Sequence, residues 1–340
     1  MRAPRALRID APAVNGLACA IGDGREEQAV DIVSIAENPP PEGLEVGWIT
    51  GAAGRRMRAA FAPCPGARAT ALIAPGRSEF IEKYFEAARD LVARGFCVVL
   101  IDQRGQGLSD RLTGEEALGH MDDFGAAVAD LAAGFALFAA RCPRPHVLVA
   151  HSMGGAIGLQ ALIEGAIAPD AAFFSAPMWG LKLPFGAEPL VRSMTAMGLA
   201  EQVAPGQSTR VGPEAFAGNP VTQDSLRHAR TNALLVSHPR IGIAGPTVGW
   251  LTRALDLCAG FTPDACAKVA IPVTVGMAGA EKLVDNDAIA RVAGQIPGAR
   301  VEQFEGAMHE LLMETDPVRA RALDLIAALA GPTQPDAPAV

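Results

Sequence analysis

Ser152, His309 and a carboxylate at Glu281 or Asp285 are the residues of this chain whose types and order could perform covalent chemistry. A serine hydroxyl is a weak nucleophile at neutral pH. An imidazole must take its proton, and a carboxylate must hold that imidazole in the right tautomer. His309 is one of six histidines, and an isolated histidine is more often structural than catalytic. Its setting distinguishes it: Gly306-Ala307-Met308-His309-Glu310 is a loop between the last expected strand and the last expected helix. Glu281 and Asp285 both fall in the loop after the preceding strand. The tip of that loop suits Glu281 as the orienting acid, whereas Asp285 could cap the helix that follows. His151 abuts the serine, but its position turns it elsewhere, as a packing residue.

A frame must bring these groups together. Residues 147–150 run apolar into His151-Ser152-Met153-Gly154-Gly155, and Ala156, Ile157, Leu159, Ala161 and Leu162 follow with helical character. A buried strand, a sharp turn and a helix is the setting of a Gly-x-Ser-x-Gly nucleophile, because the strained turn accepts only small neighbours. Ala150 replaces the first glycine, the smallest departure available. On these five residues alone an inert Gly-rich turn fits equally well, so the remaining elements decide. Val46, Trp48 and Thr50, then Met57, Ala59 and Phe61, alternate as a hairpin. Ala69–Ala74 and Phe96–Ile101 read as buried parallel strands around a helix that presents Phe80, Tyr84, Ala88, Leu91 and Val92 on one face. Further strands are expected over Ala171–Ser175, 271–275 and 301–304, with helices over 121–140, 287–295 and 315–330. The fold class is α/β, a mostly parallel sheet flanked by helices, with the chemical residues at one end of the sheet.

Charge developing on an attacked carbonyl needs two backbone donors. Met153 N–H, just after the serine at a helix N-terminus, is one candidate. The turn Pro75-Gly76-Arg77-Ser78-Glu79 offers the other, Arg77 N–H, because Gly76 permits close approach. The Arg77 side chain is also placed to meet an anionic head group. Asp102 to Asp110 is Gly-rich but lacks the lysine and spacing of a phosphate loop and reads as a structural turn. Residues 177–268 interrupt the alternation of strands and helices. They are expected to form a helical cap, with Met178 and Trp179 as candidate substrate-lining residues. The core then comprises 44–176 and 269–331. Residues 1–43, with three consecutive prolines at 39–41, form an N-terminal extension holding a short helix over 28–36, and 332–340 a loose tail.

The 340 residues are 50% hydrophobic, enough for a large core. A net charge of −8 excludes a basic nucleic-acid binder and a polybasic membrane anchor. Six cysteines without a CxxC pair read as reduced thiols, and no metal or organic cofactor is called for. No apolar run reaches ~18 residues, and the first residues lack a signal-peptide core. The expected location is therefore cytoplasmic, with transient contact at the inner face of a membrane. The expected partner is a small lipid or ester substrate.

Taken together, Pro75 to Glu79, Asp102 to Ser109, Ala150 to Gly155, Glu281 to Asn286 and Gly306 to Glu310 resemble the monoacylglycerol lipase and lysophospholipase group of α/β-hydrolases, and within it the bacterial lysophospholipase L2 branch. The order serine, acid, histidine is the order of that fold. The resemblance covers roughly residues 44–330. It implies a serine hydrolase that deacylates single-chain lipids. It also supports Glu281 as the acid, since that branch carries glutamate there followed by an Asp-Asn pair. Pro75 stands where the group has histidine, and Ala150 where it has glycine; both departures bear on substrate range more than on chemistry. Alternatives are a carboxylesterase or acyltransferase on another small ester, or a non-catalytic binding protein on the same scaffold.

Overall fold

The computed structural model describes residues 31–331. Eight strands form one sheet: β1 (Glu45–Thr50), β2 (Arg56–Ala62), β3 (Ala69–Ala74), β4 (Phe96–Ile101), β5 (His146–His151), β6 (Ala171–Ser175), β7 (Val273–Ala278) and β8 (Arg300–Phe304). The helices are α1 (Phe85–Ala93), α2 (Phe124–Ala139), α3 (Met153–Ile163), α4 (Ala187–Ala196), α5 (Ser225–Ser237), α6 (Val248–Ala259), α7 (Pro263–Cys266), α8 (Asn286–Ala293) and α9 (Asp316–Leu329). The strand order is β1-β2-β4-β3-β5-β6-β7-β8. The β1–β2 and β2–β4 pairs are antiparallel and every other pair is parallel.

The central strands are buried at every position and mostly apolar because both faces of the sheet are covered. Leu72, Leu148, Ala150 and Phe174 face a layer containing α2, α3 and α8. Their neighbours Ile73, Val147, Val149 and Phe173 face the opposite layer, with α1 and α9. This alternation within an unbroken apolar run is the strand period of two.

Three expectations shift. The helix expected from residue 121 begins at Phe124, because the Asp123 side chain accepts the Gly125 N–H at 2.7 Å and caps it. The strand expected over 271–275 starts at Val273 and runs on to Ala278. Pro272 has no N–H for the ladder, and Gly276 does not end the strand. A Cβ there would lie 2.7 Å from Leu311 Cδ1, so the glycine admits a packed neighbour. The short helix expected over 28–36 is absent from residues 31–36, while 28–30 lie outside the described residues, as does the 332–340 tail. Instead Val33 N–H donates to Glu82 Oε1 at 3.0 Å and Asn38 Nδ2 donates to the Glu82 carbonyl at 2.7 Å. Both residues are buried.

Between β6 and β7 the chain adds no strand to the sheet and passes through α4 to α7. Residues of this inserted segment line one cavity together with Ser152 and His309, which follow the carboxyl ends of β5 and β8. No helix among the described residues is long and apolar enough to cross a membrane.

Candidate active site

Ser152 follows β5 with φ 49° and ψ −116°, a backbone region costly for any residue with a side chain. Its surroundings over-determine the turn. Ser152 N–H donates to the Ser175 carbonyl at 3.1 Å, and the Ser152 carbonyl accepts from Met178 and Gly155 N–H, each at 2.9 Å. Gly154 is obligatory, since a Cβ there would sit 2.2 Å from the Ala74 carbonyl oxygen. Ala150 is tolerated for a reason visible across the helix. The facing residue is Gly158, where an added Cβ would lie 3.4 Å from that of Ala150, so the extra methyl occupies space Gly158 leaves open.

His309 Nε2 lies 2.9 Å from Ser152 Oγ, and His309 Nδ1 lies 2.7 Å from Glu281 Oε2. A carboxylate facing Nδ1 assigns the proton to that nitrogen and leaves Nε2 to accept from the serine hydroxyl. The other oxygen of Glu281 accepts three backbone N–H groups, from Lys282 at 2.9 Å, Leu283 at 2.7 Å and Val284 at 3.3 Å. Burial pushes the Glu281 carboxyl up, but hydrogen bonds from His309 and these amides outweigh it, and the group lies below its ordinary value. Asp285 takes the other role weighed for it. It accepts the Asp287 N–H at 3.0 Å and caps α8.

Two backbone donors flank the serine. Gly76 N–H is taken by Glu79 and Ser78 N–H by Gln106 Oε1 at 2.6 Å. Arg77 N–H, between them, has no partner among the described residues, and neither has Met153 N–H at the first position of α3. The turn therefore spends its flanking amides on holding its shape and leaves one donor free.

These groups open on a cavity of about 460 Å³ lined by Met178, Leu183, Val211, Trp250 and Leu251, among others. The Arg77 guanidinium lies 5.4 Å over the Trp250 ring and donates to the Ala244 carbonyl. Burial without an acidic partner pushes it down to about 9, which leaves it charged at neutral pH.

Met178 lines this cavity, but Trp179 does not. Trp179 is fully buried, packs edge-on against Phe174 at 5.1 Å and donates from Nε1 to the Gly155 carbonyl at 3.2 Å. The chain turns here, Trp179 N–H donating to the Pro177 carbonyl at 2.8 Å, which carries the ring inward; the expectation for Trp179 is corrected and Trp250 is the tryptophan of the pocket. His151 packs as expected, with Nδ1 2.9 Å from the Ser175 carbonyl and its ring 4.7 Å from that of His309. Sequence reasoning missed Glu79 and Gln106, which shape the turn at Gly76. Both lie in loops, and nothing in their spacing marks them out. The Asp102–Asp110 loop is structural, as read: Asp102 accepts from Arg58 Nε and Leu108 N–H, each at 2.7 Å.

A match to the family described as serine aminopeptidase, S33, extends over residues 65–316. The chain belongs to this family of serine hydrolases. It is 34% identical over 279 residues to lysophospholipase L2 of Escherichia coli strain K12, covering 75% of this chain and 78% of that protein. Probable lysophospholipase L2 of Haemophilus influenzae is 31% identical over 267 residues, covering 77% and 83% of the two chains. Among solved structures, a monoglyceride lipase from Saccharomyces cerevisiae superposes with a TM-score of 0.64 at 18% identity, covering 91% of this chain and 99% of that one. A thermostable carboxyl esterase from Bacillus coagulans gives 0.67 at 14% identity, with 84% and 97% covered. These structural likenesses establish the α/β-hydrolase fold.

Proposed function

We propose that this S33-family chain hydrolyses carboxylic esters of single-chain lipids, lysophospholipid or monoacylglycerol, through an acyl-enzyme on Ser152. The observation that carries the reading is the relay Ser152–His309–Glu281 beside two unengaged backbone donors. Ser152 Oγ attacks the acyl carbonyl as His309 Nε2 takes its proton. The carbonyl oxygen, now negative, is held by Arg77 and Met153 N–H. The intermediate collapses as His309 returns the proton to the departing alcohol. Water, deprotonated by His309, then attacks the acyl-enzyme and releases the fatty acid. Glu281 holds the imidazole and stabilises its charged form. The inserted segment acts as the cap, and the apolar wall of the cavity suits an acyl chain. A cytoplasmic location with transient contact at a membrane surface belongs to the same proposal.

The pocket mouth favours a charged head group. Lys182, Arg210 and Lys282 line it and have no carboxylate within 4.0 Å among the described residues, in a chain of net charge −8. A panel of lysophospholipids, monoacylglycerols and a short chromogenic ester, assayed on the parent and on Ser152→Ala, tests the reading. Ser152→Ala is expected to lose roughly 10⁶-fold in kcat and all fluorophosphonate labelling. Retained labelling would refute the nucleophile. Cleavage of the short ester alone would point to a carboxylesterase, and no labelling of the parent to a binding protein. Monoacylglycerol cleaved as efficiently as lysophospholipid would remove the head-group preference.

A further inference from the structure

Beneath the turn that carries Arg77 lies an ionic cluster that ester cleavage as described does not use. Glu79, Lys83, Tyr84 and Glu310 are each no more than 9% exposed. Glu79 Oε2 accepts from Gly76 N–H and from the Tyr84 hydroxyl at 2.6 Å. Its other oxygen lies 3.0 Å from Lys83 Nζ, and the same ammonium lies 2.5 Å from Glu310 Oε1. Glu310 directly follows His309. One cation therefore joins a carboxylate that shapes the oxyanion turn to a carboxylate next to the base.

The two turns it joins come from distant strands. The oxyanion turn follows β3 and the His309 loop follows β8, with β5, β6 and β7 between them in the sheet. The backbone ladder fixes their separation only through four strand pairings. Lys83 provides a direct link. The link is also expensive, because an ammonium and two carboxylates must leave water before their attraction offsets the loss. Burial pushes the Glu79 carboxyl up, but Lys83, His151 and the Tyr84 hydroxyl together hold it down at about 2. Glu79 is thus a carboxylate throughout the neutral range, and with the Lys83 ammonium between it and Glu310 the geometry is that of a fixed strut. It also touches the nucleophile's side of the site. His151 Nε2 lies 3.9 Å from Glu79 Oε1, and a Cβ added to Gly76 would lie within 3.0 Å of both His151 Cδ2 and Ser152 Cβ.

We propose that Lys83 is a positioning residue for the hydrolysis: through Glu79 and Glu310 it sets the spacing between the Arg77 N–H that receives the oxyanion and the imidazole of His309. The inference rests on the ester-hydrolase reading but not on the identity of the lipid. A short chromogenic ester is therefore the right substrate, and the rate of fluorophosphonate attachment to Ser152 is a second readout needing the same turn and the same base.

The experiment compares full-length parent, Lys83→Met, Lys83→Arg and Glu310→Gln, with folding checked by thermal melt. A misplacement of about 1 Å costs on the order of 100-fold in rate, so Lys83→Met is expected to lose about that factor in kcat. Its KM should stay within roughly threefold, since Lys83 meets the cavity only at its polar end and the apolar wall of Leu183, Val211, Trp250 and Leu251 is unchanged. Lys83→Arg, which keeps the charge and can span both carboxylates, is expected to recover most of the loss, and Glu310→Gln to fall between them. A folded Lys83→Met with parental kcat and a lowered melting temperature would overturn the proposal, leaving Lys83 a stabilising residue only. A loss confined to KM would overturn it too. If Lys83→Met does not fold, Glu310→Gln decides, and parental kcat there is the negative result. A parent that is inactive on the ester yet labelled by fluorophosphonate would instead count against the substrate reading, and the labelling rates would still judge the strut.

Discussion

Around Ser152 the chain spends its polar groups on one another, whereas the segment between β6 and β7 turns much of its apolar surface to water. Glu281 accepts three amides and an imidazole, and Gly76 and Ser78 are each pinned by a side chain. On the inserted segment Phe185, Leu190, Met197, Phe216, Leu226 and Val236 are exposed. Its inner face packs into the main hydrophobic cluster through Val248, Trp250 and Ala254, and polar ties fasten its rim. Arg227 and Arg230 of α5 both bond Glu86 of α1, and Arg77 bonds the Ala244 carbonyl. The floor of the pocket is tied down by these hydrogen bonds. The roof is built to meet varied surroundings. Chemistry should therefore break on small changes in the floor, and substrate range should respond to changes in the roof.

Experiments can be ranked by how hard they press this contrast. Glu281→Gln, which keeps the shape but removes the charge that orients His309, is expected to lower kcat by roughly 10⁴-fold. A smaller loss, measured by steady-state ester hydrolysis, would show that a neutral side chain held by the same amides orients the imidazole well enough. Gly76→Ala comes next. Its Cβ would lie 2.9 Å from Glu79 Oε2 and 3.0 Å from Ser152 Cβ, and a displaced turn should cost about 100-fold in kcat with KM little changed.

The roof's anchor has a pH signature. Burial pushes the Glu86 carboxyl up, but hydrogen bonds from Arg227 and Arg230 outweigh it and hold it at about 2, below the ordinary 4.5. A carboxyl depressed on folding stabilises the protein fully above its ordinary value, and that contribution is lost as pH falls toward the folded value. The melting temperature of the parent is therefore expected to drop between pH 4.5 and 2 more steeply than that of Glu86→Gln. Parallel curves would show that the anchor contributes nothing. Asp285→Ala, removing only a helix cap, should cost about 0.5–2 kcal/mol of stability in a denaturant melt while kcat stays near parental. Smallest of all, Phe185→Ser on the exposed roof should move stability by no more than about 0.5 kcal/mol.

What the sequence disclosed follows the same division. Ser152, Glu281 and His309 could be placed because their turns need distinctive residues at fixed positions after apolar runs. Gly154 and the Glu281-to-Asn286 loop are examples. The sheet was readable because its strands are buried on both faces. Trp179 and Trp250 could not be told apart, since which tryptophan lines a cavity depends on how the inserted segment closes over the sheet. Lys83 and Glu310 lie 227 positions apart, and no local pattern announces such a partnership. The expected strand over 271–275 ended short of β7, which runs through Gly276 to Ala278 because the missing side chain makes room for Leu311.

The residues ahead of the sheet carry a practical lesson for anyone who would shorten this protein. Arg58, wholly enclosed, grips Glu82 with two nitrogens at 2.7 Å each and gives a further hydrogen bond to the Asp31 carbonyl at 2.9 Å, while Val33 and Asn38 complete the coordination of Glu82. Trimming to the triple proline, or to the start of the family match at residue 65, would leave donors and acceptors inside the protein facing nothing. A truncation that begins at Leu44 is therefore expected to express poorly or aggregate, and the working boundary lies upstream of Asp31.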